Sequence, residues 1–230
     1  MKTIGLLGGM NWESTIPYYQ IINEEVRDRL GGLHSAKIIL YSVEFDEIER
    51  CQSSGDWEKS GDILSKAAQG LEAAGADFLL ICTNTMHKVA PQIVSAVHIP
   101  IVHIADATAD ELEKNGIRRV GLLGTKYTMT QDFYKQVLMG RGIDVVIPDE
   151  ADIDVVNDVI FHELCVGEMK EESRREFQRI IDSLKEKGAE GVILGCTEIG
   201  LLIHQPDSSL PVFDTTVIHA KRAAEMALEN

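Results

Sequence analysis

The sequence predicts an α/β protein built as two pseudo-symmetric lobes from an internal duplication, each lobe a mostly parallel sheet flanked by helices. Three observations lead there. Short apolar runs alternate with longer amphipathic stretches along all 230 residues. The short runs are continuous rather than alternating, as in strands covered on both faces of a parallel sheet. The second half of the chain then repeats the landmarks of the first in the same order.

Taken in order, the first strand spans Ile4 to Leu7 and ends at Gly8-Gly9, and a helical pattern runs from about Ser14 to Leu30. A second strand lies near Ile38 to Val43. Ile63, Leu64, Ala67, Ala68, Leu71 and Ala74 share one face of the next helix. Phe78 to Cys82 is a third strand, a short helix follows Thr85, and Ile99 to Ile104 is a fourth strand. The next helical pattern stops at Asn115-Gly116, as helices commonly do at glycine. That places a first lobe over 1–115, completed by a C-terminal helix over 216–230, and a second lobe over 116–215.

Val120-Gly121-Leu122-Leu123-Gly124 restates Ile4-Gly5-Leu6-Leu7-Gly8, and the helices that follow carry Phe133-Tyr134 and Tyr18-Tyr19 at matching depth. Ile193 to Glu198 answers Leu80 to Thr85, and Leu210-Pro211-Val212-Phe213 answers Ile99-Pro100-Ile101-Val102. The offsets are 116 (Gly5 to Gly121), 116 (Tyr18 to Tyr134), 113 (Thr83 to Cys196) and 111 (Pro100 to Pro211). Four landmarks in one order with slowly drifting offsets mark a duplicated unit rather than chance recurrence of glycine-rich turns. No Gly/Ser/Pro linker separates the halves, so the lobes are expected to pack tightly, with the active site in the cleft between them.

Composition narrows the function classes. The chain is 44% hydrophobic and 26% charged, which suits a globular protein and excludes disordered and low-complexity types. Its net charge of −15 repels phosphate backbones and anionic bilayers, so neither nucleic acid nor membrane is an expected partner. No apolar run approaches the roughly 18 residues of a membrane span, and Asn11, Trp12 and Glu13 interrupt the N-terminal apolar stretch too early for a secretory signal. The expected location is the cytoplasm. Cys51, Cys82, Cys165 and Cys196 are widely spaced, without disulfide or zinc-ligand spacing.

Ligands of open parallel sheets bind beyond the carboxyl ends of the strands. The candidate substrate-binding residues are therefore Met10 and Asn11, Asn84 and Thr85, Thr125, Tyr127 and Thr128, and Thr197 and Glu198, beside Thr83 and Cys196. Gly5-x-x-Gly8-Gly9 is not a dinucleotide fingerprint; it shapes a turn whose following amides suit a carboxylate as readily as a phosphate. Cys196 stands at a strand end before a short helical pattern. By position it is either a small residue filling that end or a thiol activated toward thiolate by a helix N-terminus.

The run Thr3 to Trp12, the segment Cys82-Thr83-Asn84-Thr85-Met86-His87 and Gly195-Cys196-Thr197-Glu198 together resemble the aspartate/glutamate racemase family, over essentially the whole chain. The match is to the aspartate-racemase branch; the cell-wall glutamate racemases open with an Asp-Ser-Gly-type turn and carry His after the second Cys-Thr. The resemblance implies racemisation of amino acids without pyridoxal phosphate, metal or any other cofactor, by a homodimer. Two acid/base groups, one per lobe, face the substrate Cα from opposite sides. By the same resemblance Cys196 is the second-lobe group and serves the L face, while Asn11, Asn84, Thr85 and Thr197 hold the α-carboxylate. A thiol suits proton transfer because its pKa of about 8.5 is readily tuned toward neutrality.

One position departs from the family pattern. The first-lobe cysteine is replaced by Thr83, with Cys82 one residue earlier. Adjacent strand residues point to opposite faces, so Cys82 is expected in the core and the catalytic pair is Thr83 and Cys196. Lys126, Arg50 and Lys88 are the cations nearest the motif loops and read as surface charges; His87 and His204 read as structural. Two other readings stay open: a related two-lobe cysteine enzyme of the hydantoin racemase, maleate isomerase or arylmalonate decarboxylase type, and a non-catalytic small-ligand binding protein.

Overall fold

The computed structural model describes residues 1–229. The chain forms two compact units, one from Met1 to Ile104 joined by the segment that begins at His219, the other from Ala105 to Ile218. In chain order the elements are β1 (Thr3–Gly8), α1 (Trp12–Leu30), β2 (Lys37–Ser42), α2 (Phe45–Ser54), α3 (Trp57–Ala73), β3 (Phe78–Ile81), a 3-10 turn (Thr85–Val89), α4 (Ala90–Ala96), β4 (Ile101–Val102) and α5 (Ile104–Lys114). They continue as β5 (Arg119–Gly124), α6 (Lys126–Thr130), α7 (Asp132–Gly140), β6 (Asp144–Val146), α8 (Glu150–His162) and a 3-10 turn (Leu164–Val166). Then come α9 (Glu171–Glu186), β7 (Gly191–Gly195), α10 (Ile199–Leu202), a 3-10 turn (Gln205–Asp207), β8 (Val212–Asp214) and α11 (Thr215–Leu228).

Each unit holds one four-stranded parallel sheet, in the order β2-β1-β3-β4 or β6-β5-β7-β8. The two orders are the same order, as a duplication requires. In the first sheet Ile4 lies opposite Ile38 and Phe78; in the second Val120 lies opposite Val145 and Gly191. The central strands are buried on both faces, with Ile4, Leu6, Leu7 and Phe78 to Ile81 fully enclosed. The edge strand β2 departs from that expectation, because Leu40 and Tyr41 on it are exposed.

Helix packing follows the apolar faces. In the first unit Tyr18, Ile22 and Val26 of α1 meet Ala220, Ala223, Ala224 and Ala227 of α11, whose spacing makes one small-residue face. On the other side of this sheet Ile48, Leu64, Ala68, Leu71 and Ile93 form a second cluster with Leu7, Leu79 and Ile81. Helix α2 fills a stretch for which the sequence suggested no element; it is started by Glu44, whose carboxylate accepts from the amides of Asp46 and Glu47. In the second unit Ile153, Val156, Phe177, Ile180 and Leu184 cover Leu123, Val192 and Leu194.

The division between units falls one helix earlier than Asn115-Gly116. Helix α5 follows the last strand of the first sheet yet belongs, from Ala105 onward, to the second unit; α11 follows the last strand of the second sheet and belongs, from His219 onward, to the first. The duplicated tyrosines explain why. Tyr18 is fully buried with its hydroxyl 2.9 Å from His219 Nδ1, and Tyr134 is fully buried with its hydroxyl 3.1 Å from Thr108 Oγ1. Thr108 and His219 are 111 residues apart, the same offset as Pro100 and Pro211. Arg141 adds ion pairs to Asp110 and Glu113 of α5. A glycine stop marks where a helix ends, but which sheet the helix covers is set by its buried partners. Among the described residues no helix is long and apolar enough to cross a membrane.

Candidate active site

In both sheets the two central strands carry the polar segments singled out from the sequence at their carboxyl ends. The chain leaves β1 and β3 in opposite directions across the sheet, which makes their ends a switch point of the kind that holds ligands in α/β folds. β5 and β7 are the equivalent pair in the second unit.

In the first unit Gly8 and Gly9 turn the chain sharply toward α1. Asn11 is buried, and its side-chain oxygen accepts the Glu13 amide at 2.6 Å while its carbonyl takes the hydroxyls of Ser14 and Thr15. It therefore caps α1 with the same side chain that was assigned to a substrate. Met10 sits in the core cluster. After β3, Thr83, Asn84 and Thr85 are all buried, and the Cys82 amide donates to Leu7 O. Cys82 has no exposed surface and Thr83 keeps 8%. Cys82 packs among Tyr18, Ile22 and the α11 alanines, and burial raises its thiol far above the ordinary range.

In the second unit the Thr125 hydroxyl accepts the Thr128 amide at 3.3 Å, capping α6, and pairs with the Thr128 hydroxyl at 3.2 Å. Tyr127 beside them is half-buried. At the end of β7, Cys196 Sγ donates to Glu198 Oε2 at 2.9 Å, and Thr197 Oγ1 donates to the same oxygen at 2.9 Å. Cys196 retains 8% exposure, equal to Thr83, and packs in the core cluster of this unit.

That arrangement reverses the expected electrostatics. The helix following Cys196 is only four residues long, and the thiol faces a carboxylate inside the protein. Burial first, then the Glu198 charge, push the Cys196 thiol well above its usual value. The resting group is a thiol, not a thiolate. One oxygen of Glu198 is therefore already committed, to a thiol and a hydroxyl donor.

Of the cations considered, Lys126 is exposed and paired with Asp154 at 2.8 Å, and Arg50 is exposed and paired with Asp46. Lys88 is half-buried, with its ammonium 3.9 Å from the Trp57 ring centre, rather than a solvated charge. His204 is exposed, whereas His87 is buried. Among the described residues no group of three His, Cys, Asp or Glu side chains is placed to hold a metal ion.

A sequence model of the Asp/Glu/Hydantoin racemase family matches residues 7–223. The chain belongs to this family.

Its relatives bracket the same architecture. It is 54% identical to a candidate Asp/Glu racemase from Yersinia pestis whose crystal structure matches with a TM-score of 0.93, both chains being covered completely. An aspartate racemase homologue from Pyrococcus horikoshii OT3 is 41% identical with a TM-score of 0.87, again over all of both chains. The broad specificity amino-acid racemase RacX of Bacillus subtilis strain 168 shares 24% identity over 231 residues, 95% of each chain. The Cys196 to Glu198 hydrogen bond lay beyond sequence reasoning: the signal was a Cys-Thr-Glu run, and nothing in spacing says that its carboxylate turns back onto the thiol.

Proposed function

We propose that this chain is a cofactor-independent amino-acid racemase in which Cys196 and Thr83 are the acid/base pair at the substrate Cα. The observation that carries the reading is the Cys196 thiol held by Glu198 at the end of β7, at the position of the duplicated unit that Thr83 occupies at the end of β3. In the deprotonation of an L-substrate, the Cys196 proton passes to Glu198 and the thiolate takes the Cα proton. The carbanion then receives a proton from the Thr83 hydroxyl on its other face, and solvent water takes the proton from Glu198 and restores that hydroxyl. Amides and side chains of Asn11, Asn84, Thr85 and Thr197 would stabilise charge on the α-carboxylate; Met10, Thr125, Tyr127, Thr128 and Glu198 would complete the wall. The reading includes a homodimer in the cytoplasm. The exposed Trp12, Ile16 and Tyr19, at helical spacing on α1, supply an apolar face suited to self-association.

The test is a panel of L- and D-amino acids in deuterated buffer, scored for Cα exchange and for inversion. Free enantiomers have equal energy, so kcat/KM for racemisation is equal in both directions whatever the site. Exchange is not so constrained. A hydroxyl is a much weaker acid than a thiol, so Thr83 is a poor base, while Cys196 removes a proton and returns one on the same face. L-substrates should exchange faster than they invert, D-substrates should show almost no non-inverting exchange, and Thr83→Cys should raise inversion and even out the two. Equal exchange of both enantiomers in the unmodified protein would remove Thr83 from this role. Because a single thiol also suits one-sided proton delivery, arylmalonates and maleate belong in the panel; their turnover without amino-acid exchange favours the related decarboxylase or isomerase chemistry. Amino-acid binding without any exchange favours a ligand-binding protein.

Glu198→Gln tests the proton-accepting role of the carboxylate. Without a carboxylate to take its proton the buried thiol must ionise by itself, so the rising limb of kcat/KM against pH moves to higher pH. Removing its capacity to accept the thiol proton lowers the plateau by roughly 10- to 100-fold. A profile that stays in place would show that Glu198 does not load the thiol.

A further inference from the structure

Three histidines of the first unit, none used by the acid/base chemistry, lie together. His87 and His103 have ring centres 4.5 Å apart, and His219 lies 6.0 Å from His87. His87 is almost fully enclosed, and both of its ring nitrogens are committed to backbone. Nδ1 lies 2.8 Å from the Thr83 carbonyl oxygen, and Nε2 lies 3.1 Å from the Ile104 amide, which donates to it. A carbonyl only accepts and an amide only donates, so the ring carries its proton on Nδ1 and a lone pair on Nε2. A doubly protonated ring would set an N–H against the Ile104 N–H.

His87 thereby grips two successive carbonyls of the turn. Its ring takes Thr83 O, and its own amide donates to Asn84 O at 3.1 Å. The Thr83 amide is held from the other side by Ile81 O at 2.8 Å. The conformation that directs the Thr83 hydroxyl and presents Asn84 and Thr85 is therefore fixed by β3 on one side and by one imidazole on the other. Ile104, which anchors that imidazole, is the last residue before the chain leaves the first unit. His219, where the chain returns, donates from Nε2 to Val102 O at 2.8 Å and accepts the Tyr18 hydroxyl at Nδ1, so it too is a neutral ring held in one tautomer.

We propose that His87 is a positioning residue for Thr83, its neutral Nδ1–H tautomer bridging the Thr83 carbonyl to the Ile104 amide so that the Thr83 hydroxyl is held toward the substrate Cα. The proposal rests on the reading of Thr83 given above. It assigns His87 to one half of the reaction: the proton delivered from the Thr83 side, not the proton removed by Cys196.

Two amide substitutions divide the bridge. Asparagine places its NH2 where Nδ1 stands and keeps the donor to Thr83; glutamine reaches toward Ile104 and leaves the Thr83 carbonyl without it. His87→Gln should lower the kcat for inversion roughly 10- to 100-fold through misplacement of Thr83, with KM little changed. Cα exchange of the L-substrate should fall much less, so the ratio of exchange to inversion rises by about tenfold. His87→Asn should hold that ratio near the original. Parallel loss of exchange and inversion in His87→Gln, or equal ratios in the two variants, overturns the proposal. A measurement on the unaltered protein stands beside these: nitrogen-15 NMR of the His87 ring at neutral pH should show a protonated Nδ1 and a bare Nε2. An Nε2–H or doubly protonated ring would overturn the bridge itself. Absence of any Cα exchange in the unaltered protein would instead remove the racemase reading while leaving the ring assignment to the NMR result.

Discussion

Cys196→Ala should lower kcat/KM by about 1,000-fold or more, since a positioned acid/base group contributes 10²- to 10⁴-fold. Cys82 is a poor substitute, being fully enclosed among Tyr18, Leu80 and the α11 alanines of the first unit. A strand-end cysteine would be expected to add little to packing, but Cys196 belongs to the core cluster with Ile199 and Leu194. Loss of its sulfur should therefore cost about 1 kcal/mol, the worth of one buried methylene-sized group, and leave the protein folded. Cys196→Ser is the companion variant. It retains a donor to Glu198 but is a far weaker acid, so it should be nearly as inactive as the alanine variant with a smaller change in stability. Chiral analysis of product together with thermal unfolding reads both quantities. Turnover above about a tenth of the original in either variant would contradict a general acid/base role worth at least 100-fold.

The largest expected stability effect lies at Gly9. Its φ is +88°, a conformation that side-chain-bearing residues rarely adopt, and an added Cβ would fall 2.6 Å from the Val43 nitrogen and closer still to the Val43 carbonyl oxygen. Neither obstacle is a movable side chain. Gly9→Ala should cost about 3 kcal/mol or more, from backbone strain plus overlap with a neighbouring backbone. For a chain of this size that is a fall in melting temperature of roughly 6–12 °C. Gly55 supplies the control. It has φ +75° with nothing within 4 Å of its would-be Cβ, so Gly55→Ala should cost only about 1 kcal/mol. Similar losses for the two would show that the Val43 contact is relieved by a shift of the loop. Because Gly9 opens the turn into Asn11, the alanine variant should also lose activity beyond its loss of folded protein.

Much of the architecture is legible without coordinates because strand burial, helix faces and repetition are local or periodic properties. Ile4 to Leu7 and Phe78 to Cys82 read as doubly covered strands; the first is so and the second ends one residue sooner, at Ile81, while the shared order of landmarks returns as two sheets with one strand order. Helix α2 escaped notice because only Ile48, Cys51 and Gln52 of its ten residues are buried, too few for a clear apolar face. Strand β4 shrank to Ile101–Val102 because α5 begins at Ile104. That Thr83 and Cys196 follow β3 and β7 was readable, as was the packing of Cys82 beside Leu80, since residues two apart in an extended chain share a face.

What the sequence by itself determined is therefore the duplication, the parallel α/β class, the family and the residues at the strand ends. The tertiary structure alone decided that α5, the helix after β4, joins the second unit rather than the first, because Tyr134 and Thr108 meet across 26 positions. It alone reversed the electrostatics of Cys196. A helix N-terminus suggests a lowered thiol pKa, but enclosure and a carboxylate 2.9 Å away act in the other direction and prevail. It also turned His87 from an isolated motif residue into a bridge between two backbone groups 21 residues apart. The physical reason is common to all three. Periodicity reports which side of an element is buried, whereas the state of an ionisable or hydrogen-bonding group depends on partners that only the folded chain brings within 3 Å.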